Sequence, residues 1–181
     1  MTPDEAFSTA TDSLVGVVVH PEIVVTEAPA PKRLAPHAYA VTAEVGVEPE
    51  VGSGRFVLLH DPSRPESWQS DTRVVVYVET DIDPEMAADQ LLTDVGWTWL
   101  QESLGDVAYT ALGGTVTAVR STSYDALATR GHETSIQIRA SWSPAALEGI
   151  AGHFAAWLEL ISVCAGLPPH HPDVTRIGES A

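Results

Sequence analysis

An α+β domain built on an antiparallel sheet of about five strands is what this sequence predicts. Three observations lead there. Strand-like runs follow one another across short links, which suit hairpins rather than crossover helices. Helix-period segments open, interrupt and close that series, giving the order helix, three strands, helix, two strands, helix. The chain has 181 residues and is 44% hydrophobic, enough to bury one real core. The expected organisation is a single domain over residues 1–167 and a flexible C-terminal tail over 168–181.

The first helix starts where Thr2 caps, Pro3 suits the first turn and Glu5 completes a capping box. Phe7, Ala10, Leu14, Val17 and Val18 recur at helical spacing, and Pro21 ends the run. Residues 21–36 hold Pro21, Pro29, Pro31 and Pro36, so this connector is extended, with room for a short edge strand at Ile23–Val25. Tyr39, Val41, Ala43, Val45 and Val47 alternate with polar residues as in a strand with one wet face. Glu48–Gly54 reads as a turn. Arg55–His60 and Arg73–Glu79 are apolar on both faces, which places them centrally, under helices on one side and partly covered on the other. Trp68 stands in the polar loop between them as a surface anchor or a folded-back plug.

Asp83 and Pro84 open the middle helix, with Ala88, Leu91, Leu92, Val95 and Trp99 on one stripe and Trp97, Leu100 and Leu104 on another. Trp97 and Trp99 are separated by roughly 200° on a continuous helix, so their rings face opposite ways. Gly96 admits a close neighbour or a kink. Strands at Thr115–Thr122 and Ile136–Trp142 follow. The last helix starts at Ser143 and Pro144 and buries Leu147, Ile150, Phe154, Trp157 and Ile161. Gly166 stops it, and Pro168 and Pro169 prevent continuation.

Charge and composition exclude several functions. The formal net charge is −16, from 25 acidic and 9 basic residues. Such a chain repels nucleic-acid backbones and anionic membrane surfaces. Lys32 is the single lysine, and the eight arginines are scattered, with no basic patch in the linear sequence. The lone Cys164 permits no internal disulfide and fits a reducing compartment. The start lacks the pattern of a signal peptide, and no run approaches the ~18 apolar residues of a membrane span. The expected location is cytoplasmic.

Residue types that suggest chemistry are present, but their spacing argues for structure. A calcium loop starting at Asp81 needs Gly sixth and Glu twelfth, where this chain has Met86 and Leu92; Asp81, Asp83, Glu85 and Asp89 read instead as a helix cap and its acidic surroundings. Cys164, His170, His171 and Asp173 offer zinc-type atoms, yet Cys164 continues an apolar stripe and the histidines follow two prolines. Gly52-Ser53-Gly54 lacks the following Lys and helix of a phosphate loop. No metal and no cofactor is expected.

The segments Gly-Arg-Phe-Val-Leu-Leu-His-Asp-Pro (54–62), Asp-Pro-Glu-Met-Ala (83–87), Val-Gly-Trp-Thr-Trp-Leu (95–100), Gly-Gly-Thr-Val-Thr (113–117) and Ile-Arg-Ala-Ser-Trp-Ser-Pro (138–144) together carry a resemblance over nearly the whole chain. It resembles an uncharacterised actinobacterial family catalogued as a domain of unknown function, family three thousand. That resemblance implies an actinobacterial source and brings no catalytic residues. In element order and acidity alone the chain is also similar to the small chaperones of type III secretion, which are homodimers that bind other polypeptides.

The expected function is therefore a non-enzymatic, protein-binding or chaperone-like module acting as a homodimer. Trp97, Leu100, Leu104 and Trp99 would form the interface between copies. A sheet edge or groove would hold the partner, and the acidic surface would favour a basic one. The alternative is a small-ligand-binding protein or enzyme with a pocket between sheet and helices, lined by His60, Asp61 and Arg139.

Overall fold

The computed structural model describes residues 1–46 and 49–170. Helix α1 (Pro3–Ser13) precedes β1 (Ile23–Ala28), β2 (His37–Val45), β3 (Gly52–His60) and β4 (Thr72–Asp81). The one-turn α2 (Pro84–Ala87) and α3 (Leu92–Leu104) lead to β5 (Tyr109–Thr122), β6 (His132–Pro144) and α4 (Ile150–Cys164). All neighbouring strands are antiparallel, in the order β1-β2-β3-β4-β6-β5. The sheet thus has six strands rather than about five. The addition is β1, which pairs along its whole length with Ala40–Val45 of β2 instead of remaining a fragment of the connector.

Local signals explain most boundaries. The capping box at Thr2 forms: Glu5 N donates to Thr2 Oγ1 at 3.2 Å and Thr2 N donates to Glu5 Oε2 at 2.7 Å. α1 ends at Ser13, with a 3-10 turn at Leu14–Gly16, well before Pro21. Gly16 and the β-branched Val17, Val18 and Val19 have lower helix propensity than the residues before them. The middle helix breaks at residues 88–91 rather than at Gly96. Asp89 causes the break: its Oδ1 accepts from Leu91 N at 2.9 Å, a local alternative to the helical ladder. Gly52-Ser53-Gly54 is not a turn but the first part of β3. A Cβ on Gly54 would sit 2.8 Å from Ile161 Cδ1 and 3.0 Å from Trp157 Cζ2, so α4 can lie directly on the sheet there. The strand expected to reach Val47 stops at Val45; residues 47 and 48 lie outside the described residues, as do His171, Asp173 and the rest of the tail from 171.

Period-two alternation sends Phe56 and Leu58, Val74, Val76 and Val78, and Ile136, Ile138 and Trp142 to the face covered by α1, α3 and α4. Phe56 meets Phe154 edge-on at 5.2 Å and Trp157 at 5.6 Å. The segment Leu147–Cys164 spans 18 residues with a mean hydropathy of 1.3, long and apolar enough to cross a membrane, contrary to the sequence expectation. Here it packs on the sheet: Ile150, Phe154, Trp157, Leu158 and Ile161 lie in the core.

Two polar groups in this core constrain it. Trp142 Nε1 donates to His153 Nδ1 at 3.0 Å, so the imidazole carries its proton on Nε2. Burial pushes the His153 pKa down to about 4. The unfolded chain therefore binds a proton between about 6.5 and that value which the folded chain refuses. Stability from this group is complete above pH 6.5 and is lost as pH falls towards 4, at no more than about 1.4 kcal/mol per pH unit. Urea midpoints should fall more steeply over that window in the wild type than in His153→Gln; equal slopes would contradict the burial of a neutral imidazole.

Candidate functional site

The opposite face of the sheet carries no α-helix among the described residues, and strand register decides what lies on it. Arg55 of β3 stands opposite Tyr77 of β4, and Tyr77 opposite Arg139 of β6. One row along, Val57, Val75 and Ser141 are aligned, with Gly113 of β5 beyond Ser141. Arg73 follows two residues before Val75 on the same strand face. Next to Arg73, which is not part of its lining, lies an open groove of about 690 Å³, floored by Val57 and Val75 and lined by Arg55, Tyr77, Gly113, Thr115, Arg139 and Ser141. Trp68 and Ala35 pack with Ala40, Val57 and Leu59 at its β2–β3 end. Trp68 is thus a folded-back plug, covering part of the face and leaving the rest open.

Each arginine is held differently. The Arg139 guanidinium lies over the Tyr77 ring, 5.2 Å from its centroid. The Tyr77 hydroxyl donates to Glu79, and burial followed by that carboxylate pushes the phenol up to about 12, so it stays a neutral donor. Arg55 Nη2 donates to Pro29 O at 3.1 Å. Arg73 is half-buried and donates to Ala111 O at 2.9 Å, Ser143 Oγ at 3.1 Å and Ser141 Oγ at 2.7 Å. A bulge between Thr110 and Gly113, with Ala111 at a φ of 53°, accompanies the carbonyl that Arg73 uses. All the acceptors that Arg55 and Arg73 use are neutral. Among the described residues no carboxylate lies within 4.0 Å of the Arg55, Arg73 or Arg139 guanidinium groups. Three of the nine basic residues of a chain carrying −16 therefore share one sheet face without a direct ion pair, and the Glu79 carboxylate on that face is taken by the Tyr77 hydroxyl. Arg139 is a candidate from sequence alone, whereas the arginines look scattered along the chain. The signal available was Arg at the outward positions of three valine-rich or alternating runs.

His60 and Asp61 do not join Arg139. His60 points to the helix-covered face, 7% exposed, while Arg139 projects from the bare one. His60 clusters with Phe7 and His37, ring centroids 6.3 and 5.7 Å from its own and 5.5 Å from each other, and its Nδ1 is 3.3 Å from Thr72 Oγ1. His37 Nδ1 lies 3.3 Å from Asp4 Oδ1. Asp61 forms a local turn, accepting from Ser63 N at 2.9 Å, and hydrogen bonding from the Ser63 side chain and then this amide holds its carboxyl below the usual range. The pocket between sheet and helices expected for these residues is not where the groove lies.

Leu100 and Leu104 are each 1% exposed and belong to the core of the single chain. Trp97 and Trp99 are half-buried and pack on the same core. The outward side of α3 shows Asp94, Thr98, Gln101 and Glu102, with Val95 and, at the helix start, Leu91 as exposed large apolar residues. The break at 88–91 removes the long two-sided helix, and Gly96 allows α3 to press onto Ile136 and Val116. Of the four residues expected at an interface, Leu100 and Leu104 are thus core residues, and Trp97 and Trp99 are the ones that reach the surface. Trp97→Glu should cost about 2 kcal/mol of stability in urea without changing the elution volume of the folded protein. A fully stable variant of lower mass would return Trp97 to an interface.

Asp83 caps α2 by accepting from Glu85 N at 2.8 Å, and Asp89 serves the turn already described, so both have structural partners. Cys164 is buried, with its thiol pushed up to about 12 by desolvation. Among the described residues no group of three or more His, Cys, Asp or Glu is placed to hold a metal.

A family model described as "Protein of unknown function (DUF3000)" matches residues 3–175. No curated protein and no solved structure matches the chain.

Proposed function

Given that the chain belongs to the DUF3000 family of unknown function, we propose from its own geometry that it is a non-enzymatic binding module that captures an anionic, partly apolar partner on the bare face of its sheet. The observation that carries this reading is the pair Arg55 and Arg139, unpaired with carboxylates, around a floor of Val57 and Val75. An isolated guanidinium beside apolar surface gains most from a carboxylate, sulfonate or phosphate that shares its desolvated surroundings. The residues lining the groove include no carboxylate, imidazole or thiol, which favours binding over acid–base chemistry. The charge argument from the whole chain is reversed locally: the partner this face suits is acidic rather than basic.

The test uses two fluorescent probes of similar apolar character. Anilinonaphthalene sulfonate, an aromatic anion, should bind the folded protein saturably, and Nile red, a neutral dye, should bind much more weakly. Arg55→Gln with Arg139→Gln should remove the difference while leaving the urea midpoint unchanged. Equal binding of both dyes to wild type, or full anion binding by the double variant, would overturn the reading.

A further inference from the structure

The two edges of the sheet are unequal. β1 has six residues, and Pro29 and Pro31 follow immediately, which ends the edge and withholds backbone donors. β5 has fourteen residues and pairs only with β6. From Gly113 to Thr122 its ladder with β6 is regular, so its other side offers a straight row of amides and carbonyls that no described strand uses. The usual protections of an edge are weak here. β5 contains no Pro, Lys, Asp or Glu, its one charged residue is Arg120, and its single bulge lies near the start.

This edge is also the open end of the arginine groove. Gly113 carries no side chain, and Thr115, directly opposite Arg139, carries a short one. A strand added beside β5 would run about 10 Å from β6, two strand spacings away. A Glu or Asp on its groove-facing side reaches across Gly113 or Thr115 to meet the long Arg139 side chain. Backbone pairing would supply register, and the arginines would select charge.

We infer that β5 and the adjoining groove take an extended, acidic polypeptide segment as a seventh strand. The inference rests on the reading of the bare face as an anion-binding surface and names its partner. Charge favours this occupant over a second copy of the chain: strand-to-strand pairing of two β5 edges would bring together two molecules of net charge −16 and leave the arginines without carboxylates.

Panning a random peptide library against the full-length protein, followed by anisotropy titration of the synthetic consensus peptide, tests it. The expected consensus alternates β-branched or aromatic residues with Asp or Glu. Arg139→Gln should weaken the peptide by about tenfold, the value of one charged hydrogen bond. N-methylation of alternate peptide amides should abolish binding in one phase and spare it in the other, because an added strand presents only one edge to β5. The inference is overturned if no peptide is enriched, if the consensus is neutral or basic, if Arg139→Gln has no effect, or if both methylation phases act alike. It is also overturned if the protein is a dimer with the β5 amides protected, because a second copy then fills the edge. Arginine-dependent binding of anilinonaphthalene sulfonate without any acidic peptide would sink this inference alone, and loss of both would sink the binding-face reading with it.

Discussion

Replacing Trp142 with alanine should lower the unfolding free energy by about 3–5 kcal/mol, the range for deleting a large aromatic from a core. Trp142 is 0% exposed and sits on β6 under α4. Its loss opens a cavity and removes the donor on which the buried His153 Nδ1 depends. Leaving that acceptor unpaired adds about 1–3 kcal/mol where the site stays dry. Trp142→Phe separates the two effects, since it keeps much of the volume and deletes only the donor. A double-mutant cycle with His153→Leu should show the two residues coupled, whereas additive losses would mean that the 3.0 Å contact contributes nothing. Because domains of this size have only about 5–15 kcal/mol to lose, Trp142→Ala is the substitution expected to come nearest to unfolding the chain.

The largest functional effect is expected from the arginine row. Arg55 and Arg139 are exposed, and neither has a carboxylate partner among the described residues, so their conversion to Gln should change stability by less than about 0.5 kcal/mol. Each removes a charged hydrogen-bond donor set, with an expected tenfold loss of anilinonaphthalene sulfonate binding per arginine and about a hundredfold loss for the pair if they act independently. Raising ionic strength should weaken the wild type more than the double variant, since screening acts on charges that the variant lacks. Nile red binding should respond to neither change. Arg73 is a poor choice for the same experiment: its hydrogen bonds to Ala111, Ser141 and Ser143 tie β4 to β5 and β6, and removing it alters the sheet as well as the charge.

The sequence showed which residues alternate, and that was enough for the central place of β3 and β4, the buried Trp142 and Trp157 and the Gly166 stop. It could not show register. Residues 55, 77 and 139 become neighbours only because β3, β4 and β6 pair in one alignment, and no local signal announces it. A shift of one residue in β6 would turn Arg139 to the opposite face. The same limit hid the separation of His60 from Arg139, because adjacency to Asp61 in sequence says nothing about sheet face. The middle helix failed for a different reason. Its apolar count was right, but Asp89 competed locally with the helix and Gly96 let α3 sink onto the sheet, so Leu100 and Leu104 joined the core and left a mixed exterior with Val95 and Leu91 exposed among polar residues. Whole-chain charge was likewise a poor guide to one surface: a net −16 conceals a face on which three arginines stand together.

The central claim is that the bare sheet face is the binding surface, and backbone amide NMR with anilinonaphthalene sulfonate tests it most directly. The account predicts shift changes concentrated at Val57, Val75, Tyr77, Thr115 and Ser141, lost in the Arg55→Gln, Arg139→Gln variant. Changes confined to α3 around Trp97, or to the helix-covered side around His60, with the arginine row silent, would contradict it.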